Sequence, residues 1–351
     1  MGFKNMASNL TFTDIALMTS MEKNKAIERM EQINDNVNWN SIEAILMEDY
    51  PVGNSKEGNQ AYPPLLLMKC LLLQQWFHID SDPELETQIN DRISFKKFLG
   101  IAFDEPSPDH STFSRFRGRL SKETLLSINK ELLRQFATKG LVINEGAAVD
   151  ARLVQSASRP ISKEKLAAER QVRETSAGQK DRHGNPRKFF RDIESDWTIK
   201  NNKLHFGLKE HATVDVRHGF LLATHLTPAS HSDSRYLPLC IAGSCSEAVI
   251  KAAYTDKGYA GEPNRSFLAN RGIVDGIMSK AVRGRRLRDY EVARNKAISK
   301  VRYVVEQYFG LTHLHNNASR ARFTTIIKNS VDGFLRQFAF NLQRGSRLLA
   351  V

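Results

Sequence analysis

The spacing of apolar residues changes character near residue 140. Upstream of that point it is helical. Two capping-box spacings, Thr19-Ser20-Met21-Glu22 and Asn40-Ser41-Ile42-Glu43, predict helix starts. Residues 53–60 (GNSKEGNQ) predict a loop. Pro63 and Pro64 then open a helix through Leu66, Leu67, Cys70, Leu71, Gln74 and Phe77, apolar on most sides and therefore buried. Ser81-Asp82-Pro83-Glu84 caps the next helix. Residues 121–139 form an amphipathic helix on Leu125, Ile128, Leu132, Leu133 and Phe136, closed by Gly140.

Downstream the apolar runs shorten. Residues 141–143 and 147–154 give the first strand signals, and 204–216 with 219–227 predict an antiparallel pair around Arg217-His218-Gly219. Between them, 158–203 is so polar that it predicts a mobile, solvated insertion with one short helix near 164–173. Helical character from Ser234, a strand ending at Asp256, an apolar stretch at Gly276-Ile277-Met278 and a patterned helix over 301–309 complete the chain. The expected fold is α/β: a mixed sheet with flanking helices over 141–351, preceded by an all-α N-terminal domain over 1–140.

Composition narrows the partners. The 351 residues carry a formal charge of +12 and a pI near 9.6, which favours a polyanion. The longest apolar run, near Leu65 to Leu73, is broken by Lys69 and too short to span a bilayer, so no membrane role is expected. Three cysteines without metal-ligand spacing, and no basic-then-apolar leader, predict a reduced, cytoplasmic, nucleoid-associated protein. His205, His211, His225 and His231 lack the short paired spacing of a zinc site.

Two basic stretches are candidate DNA contacts. Residues 108–119 predict a short helix with arginines on one side and Phe113 and Phe116 on the other. Its Ser111, Thr112, Arg115, Arg117 and Arg119 suit insertion into a major groove, against the plainer alternative of a basic surface helix. Arg283, Arg285, Arg286 and Arg288, followed by Arg294, Lys296 and Lys300, lead into the last patterned helix.

The candidate chemistry lies in three carboxylates. Ala147-Ala148-Val149-Asp150 and Ala252-Ala253-Tyr254-Thr255-Asp256 are small, apolar strands that each deliver one acid to a strand end, with Gly258 bending the chain away from the second. In 301–309 the apolar positions 301, 304, 305, 308 and 309 form one stripe, while Ser299, Arg302, Glu306 and His313 share another face. Taken singly, the aspartates could be turn formers and Glu306 the partner of Arg302 in a surface ion pair. Taken together, Asp150, Asp256 and Glu306 point to two magnesium ions, with manganese as the alternative.

At this point the chain resembles the DDE transposases of bacterial insertion sequences, in particular the insertion-sequence-five branch. The resemblance is carried by Tyr62-Pro63-Pro64 with Trp76, Pro108-Asp109 with Thr112, Val149-Asp150-Ala151, Phe206-Gly207-Leu208-Lys209 with His211 and Asp215, Thr227-Pro228-Ala229 and His231-Ser232-Asp233. Asp256-Lys257-Gly258-Tyr259, Arg302 with Val305-Glu306, Arg320-Ala321-Arg322-Phe323, Lys328-Asn329 and Asn341-Leu342 complete it. It implies a ribonuclease H-like, retroviral integrase-like catalytic domain with Asp150, Asp256 and Glu306 as metal triad and Arg302 placing DNA or orienting Glu306. It further implies a homodimer or higher oligomer on double-stranded DNA, cutting element ends and joining them to target DNA. Ser299 and His313 stand where the wider pattern has Tyr and Lys, so His313 would meet phosphate with a pH-dependent charge. The rival expectations are a nuclease of the same fold without joining, and an inactive DNA-binding regulator.

Overall fold

The computed structural model describes residues 2–6, 12–20, 25–52, 59–176, 178–180, 191–246, 248–316 and 318–350. Among these, eight helices come first: α1 (Phe12–Ser20), α2 (Lys25–Asn36), α3 (Trp39–Asp49), α4 (Pro64–Trp76), α5 (Asp82–Asp91), α6 (Ile93–Leu99), α7 (His110–Arg119) and α8 (Lys122–Thr138). Their starts follow local chemistry. Pro64 occupies the first turn of α4, where its missing N–H costs nothing. Ser81, Asp109 and Ser121 cap α5, α7 and α8 with side-chain oxygens. The capping boxes are corrected. The cap of α3 is Asn38, whose side chain accepts from Asn40 N, and Thr19 and Ser20 close α1 instead of opening a helix. Met21 and Glu22, like 53–58 of the expected loop, lie outside the described residues.

Six strands follow: β1 (Gly146–Gln155), β2 (Asp196–Lys200), β3 (Lys203–Asp215), β4 (Leu221–Pro228), β5 (Ala252–Thr255) and β6 (Val274–Ile277). The helices among and after them are α9 (Lys163–Thr175), α10 (Leu237–Cys245), α11 (Glu262–Asn270), α12 (Asp289–Asn316) and α13 (Ile326–Leu349). β1 is antiparallel to β3 and parallel to β5; β4 extends the sheet from β3 and β6 from β5. Two expectations change. Residues 141–143 form no strand, because Gly140 at φ +94 lets Leu141 N return to Phe136 O and close α8. The polar insertion contains the expected short helix, α9, but it also supplies β2, which pairs with β3. Trp197 makes that possible, packing on Phe206 with its indole N–H on Ile161 O.

The sheet alternates with period two. Ala147 and Val149 face a core that runs without a break from the N-terminal helices to α10 and α13, while Ala148 faces a second cluster under Val305 and Tyr308 of α12. The expected division at residue 140 is therefore not a break in the core. Polar groups fix α13 at this junction. Trp76 Nε1 donates to Ala339 O, Gln337 bonds the carbonyls of Leu221 and Leu222, and Asn341 bonds Asn129 and both backbone groups of Leu221. No helix of the described residues is long and apolar enough to cross a membrane.

Candidate active site

Asp150 lies in mid-strand, not at the strand end expected of it. β1 continues to Gln155 because β3 pairs with it along its length, and it is β5 that stops here. The parallel register sets Ala148 against Tyr254. Followed two residues further, it brings Asp150 beside Asp256, the first residue beyond β5. Asp256 opens a 3-10 turn over Lys257–Tyr259 by accepting from Gly258 N at 2.8 Å. A Cβ on Gly258 would stand 2.9 Å from that carboxylate oxygen, so glycine here makes room for the acid.

The third acid arrives less directly. α12 lies across β1, β3 and β5 and turns Arg302 inward, where Nη2 donates to Asp150 Oδ2 at 2.7 Å. Ala151 N donates to Asp150 Oδ1 at 2.8 Å. Burial raises the Asp150 carboxyl above its ordinary range, and the charges of Asp256 and Asp233 add to that, against the pull of Arg302 and the Ala151 N–H. Glu306, one turn on, is 57% exposed, with Oε1 4.0 Å from Arg302 Nη1. Thus Asp150 and Asp256 come together, while the Arg302 guanidinium stands between Asp150 and Glu306. Among the described residues, no three His, Cys, Asp or Glu side chains are close enough to hold a metal ion. The donor chemistry nevertheless fits a hard divalent cation: oxygen ligands only, with a buried carboxyl made harder to ionise by its acidic neighbours.

A network that sequence reasoning missed holds these residues. Glu210 of β3 is 1% exposed and takes Arg152 Nη2 at 2.5 Å and Tyr308 Oη at 2.8 Å, with Arg336 Nη1 at 3.9 Å. Arg152 also reaches Thr312 Oγ1 at 2.8 Å, and Arg336 pairs with Asp332 at 2.7 Å. Burial alone would raise the Glu210 carboxyl, but Arg152, Arg336 and the Tyr308 hydroxyl together hold it below its ordinary value. Its signal was in the pairing: Arg152 stands directly opposite Glu210 in the β1–β3 register.

The expected DNA contacts divide. Arg117 is corrected. It is buried and donates twice to Asp82, and Arg322 reaches the same carboxylate, so it links α7 to α5 and to the C-terminal part of the chain. Ser111 and Thr112 bind the Asp109 carboxylate, and Arg115 donates to the Ser111 hydroxyl at 2.6 Å. Arg119 is exposed and lies over the Tyr50 ring. Arg283, Arg285, Arg286 and Arg288 are all exposed just before α12, with Arg285 paired to Glu291, and His313 is exposed on α12. The histidines proposed for no metal have protein roles instead: His211 bonds Thr227 and stacks on Tyr236, and burial lowers its pKa to about 3.

With this geometry in place, the chain was compared with known proteins. Residues 18–119 match the family described as a transposase domain (DUF772), and residues 146–342 match the transposase DDE domain. The transposase for insertion sequence element IS1106 of Neisseria meningitidis serogroup B is 34% identical over 241 residues, covering 68% of this chain and 79% of that one. A structure of the piggyBac transposase synaptic complex with hairpin DNA aligns over 92% of this chain and 74% of that chain, with 9% identity and a TM-score of 0.42.

Glu210 gives the pH prediction. Glu210→Ala strands two buried arginines and should cost about 3–5 kcal/mol at neutral pH. Because the folded carboxyl titrates below the unfolded value near 4.5, its stabilisation is present above that pH and lost as pH falls through the folded value. Urea unfolding of both proteins from pH 7 to pH 3 should therefore show the gap narrowing on acidification; a constant gap would deny the ionised network.

Proposed function

Since the chain belongs to the DDE transposase family of insertion sequences, we propose that it binds the terminal inverted repeats of its own element, cuts them and joins the freed 3′-hydroxyl to target DNA. The observation that carries this is the pair Asp150 and Asp256, set side by side where β5 ends, with Arg302 of α12 on the first of them. The order β4-β3-β1-β5-β6, an antiparallel set followed by two parallel strands, supports the ribonuclease H-like reading of the catalytic half.

Asp150 and Asp256 would hold the divalent cations of this family, magnesium or manganese, with Glu306 completing the set. Bound there, two such ions would activate the attacking oxygen and stabilise the leaving one. Arg302 is buried and already charge-matched to Asp150. If a phosphodiester enters, the same guanidinium can donate to a non-bridging oxygen, which frees Asp150 and opens the way for Glu306 from the next turn. Arg283, Arg286 and Arg288 offer exposed positive charge along the approach to α12 and would follow the DNA backbone without reading bases. Arg115 and Arg119 remain the α7 side chains open to DNA, and the assembly on DNA would be a homodimer or larger.

Asp150→Asn, Asp256→Asn and Glu306→Gln are each expected to reduce end cleavage and strand transfer by at least about 1000-fold while leaving binding to element ends intact. Pre-cut ends mixed with plasmid target separate the alternatives. Joined product with wild type supports a transposase, cleavage without joining supports a nuclease, and binding with neither supports an inactive regulator.

The basic run has its own test. Replacing Arg283, Arg286 and Arg288 by alanine should weaken binding to all DNA sequences alike and flatten the slope of log affinity against log salt by roughly 0.9 per lost phosphate contact. An unchanged slope in the salt titration would assign the run to solvent.

A further inference from the structure

Tyr259 closes the 3-10 turn that Asp256 opens, and it is 1% exposed. Its backbone is fixed on both sides. Tyr259 N donates to Asp256 O at 3.3 Å, and Asn264 Nδ2 donates to Tyr259 O at 2.9 Å and to Ser234 O at 3.0 Å. That second bond ties the turn to another 3-10 turn, Asp233–Tyr236, which begins with an acid. The Tyr259 ring packs in the main core, yet its hydroxyl is enclosed and no protein group bonds to it. A phenylalanine would fill this space without burying an unpaired polar atom, an arrangement that proteins generally avoid.

The surroundings indicate what the hydroxyl awaits. After burial, the strongest influence raising its pKa is the charge of Asp150, and Asp233 and Asp256 act in the same direction. It therefore stays protonated, a donor beside acids. In the resting protein Asp150 is turned to Arg302, and Asp256 gives one oxygen to Gly258 N.

We propose that Tyr259 is a positioning residue whose hydroxyl donates to the Asp150–Asp256 carboxylate pair once a divalent cation draws the two acids together. A carboxylate oxygen held this way leaves its other oxygen directed at the cation, the role that outer hydrogen-bond partners play around metal ligands generally. The proposal rests on the reading of Asp150 and Asp256 as cation ligands.

The test uses the full chain as wild type, Tyr259→Phe, Asp150→Asn and Asp256→Asn. Each is melted without cation and titrated calorimetrically with manganese chloride. Tyr259→Phe should melt at or above the wild-type temperature without cation, because it removes a hydroxyl that nothing pairs. Its manganese affinity should fall about 10-fold, and both Asn variants should lose binding. Wild-type manganese affinity in Tyr259→Phe, with binding still lost in the Asn variants, would overturn this proposal alone. So would a lower melting temperature of the cation-free Phe variant, which would give the hydroxyl a structural partner. Undiminished binding in the Asn variants would overturn the cation reading and this proposal with it.

Discussion

The burial of Glu210 constrains everything around the site. A carboxylate at 1% exposure is tolerated only where opposite charge and hydrogen bonds surround it, and here Arg152, Arg336 and Tyr308 do so from three other elements. The consequence is positional. Arg152 lies two residues beyond Asp150 on the same face of β1, and Tyr308 lies two residues beyond Glu306 on α12. Fixing those two side chains to one carboxylate fixes how α12 is rotated against the sheet, and with it which helix residues meet Asp150. α13 joins through Arg336, whose Asp332 partner also accepts from Gln75 of α4, so the helical N-terminal region is tied to the same centre.

Charge balance also explains the resting state of the site. Asp150 and Asp256 are neighbours that repel, and the protein meets the first with Arg302. The guanidinium is an internal cation in the place that separates Asp150 from Glu306. Ligand set and ion pair are thus two uses of one cluster of charges, exchanged when a phosphodiester offers Arg302 another anion. In this respect the ion pair and the DDE chemistry are complementary, although from sequence they stood as competing readings of Glu306.

Much of this was legible before any fold was known, and the failures share a cause. Helix α4 could be placed from Pro64 and its apolar run, and α8 from Ser121 and its stripe, because those signals are local. The Asp256 turn was legible for the same reason. Asp150 was put at a strand end because Arg152 looks like the end of an apolar run; only its cross-strand partner Glu210, far along the chain, lets β1 continue. Arg117 shows charge in the sequence but not direction, and its inward turn depends on Asp82 and on Arg322 beyond residue 300. β2 was hidden in a polar stretch because its pairing with β3, not its own composition, makes it a strand.

The central claim is that Asp150, Asp256 and Glu306 surround one cation site on the DNA-bound protein. Ferrous iron substituted at such a site, with ascorbate and peroxide, generates hydroxyl radicals that cut the nearest backbone. End-bound protein treated this way should be cut next to residues 150, 256 and 306, and excess magnesium should suppress all three cuts together. Cuts confined to 150 and 256, or cuts that magnesium does not suppress, would contradict it.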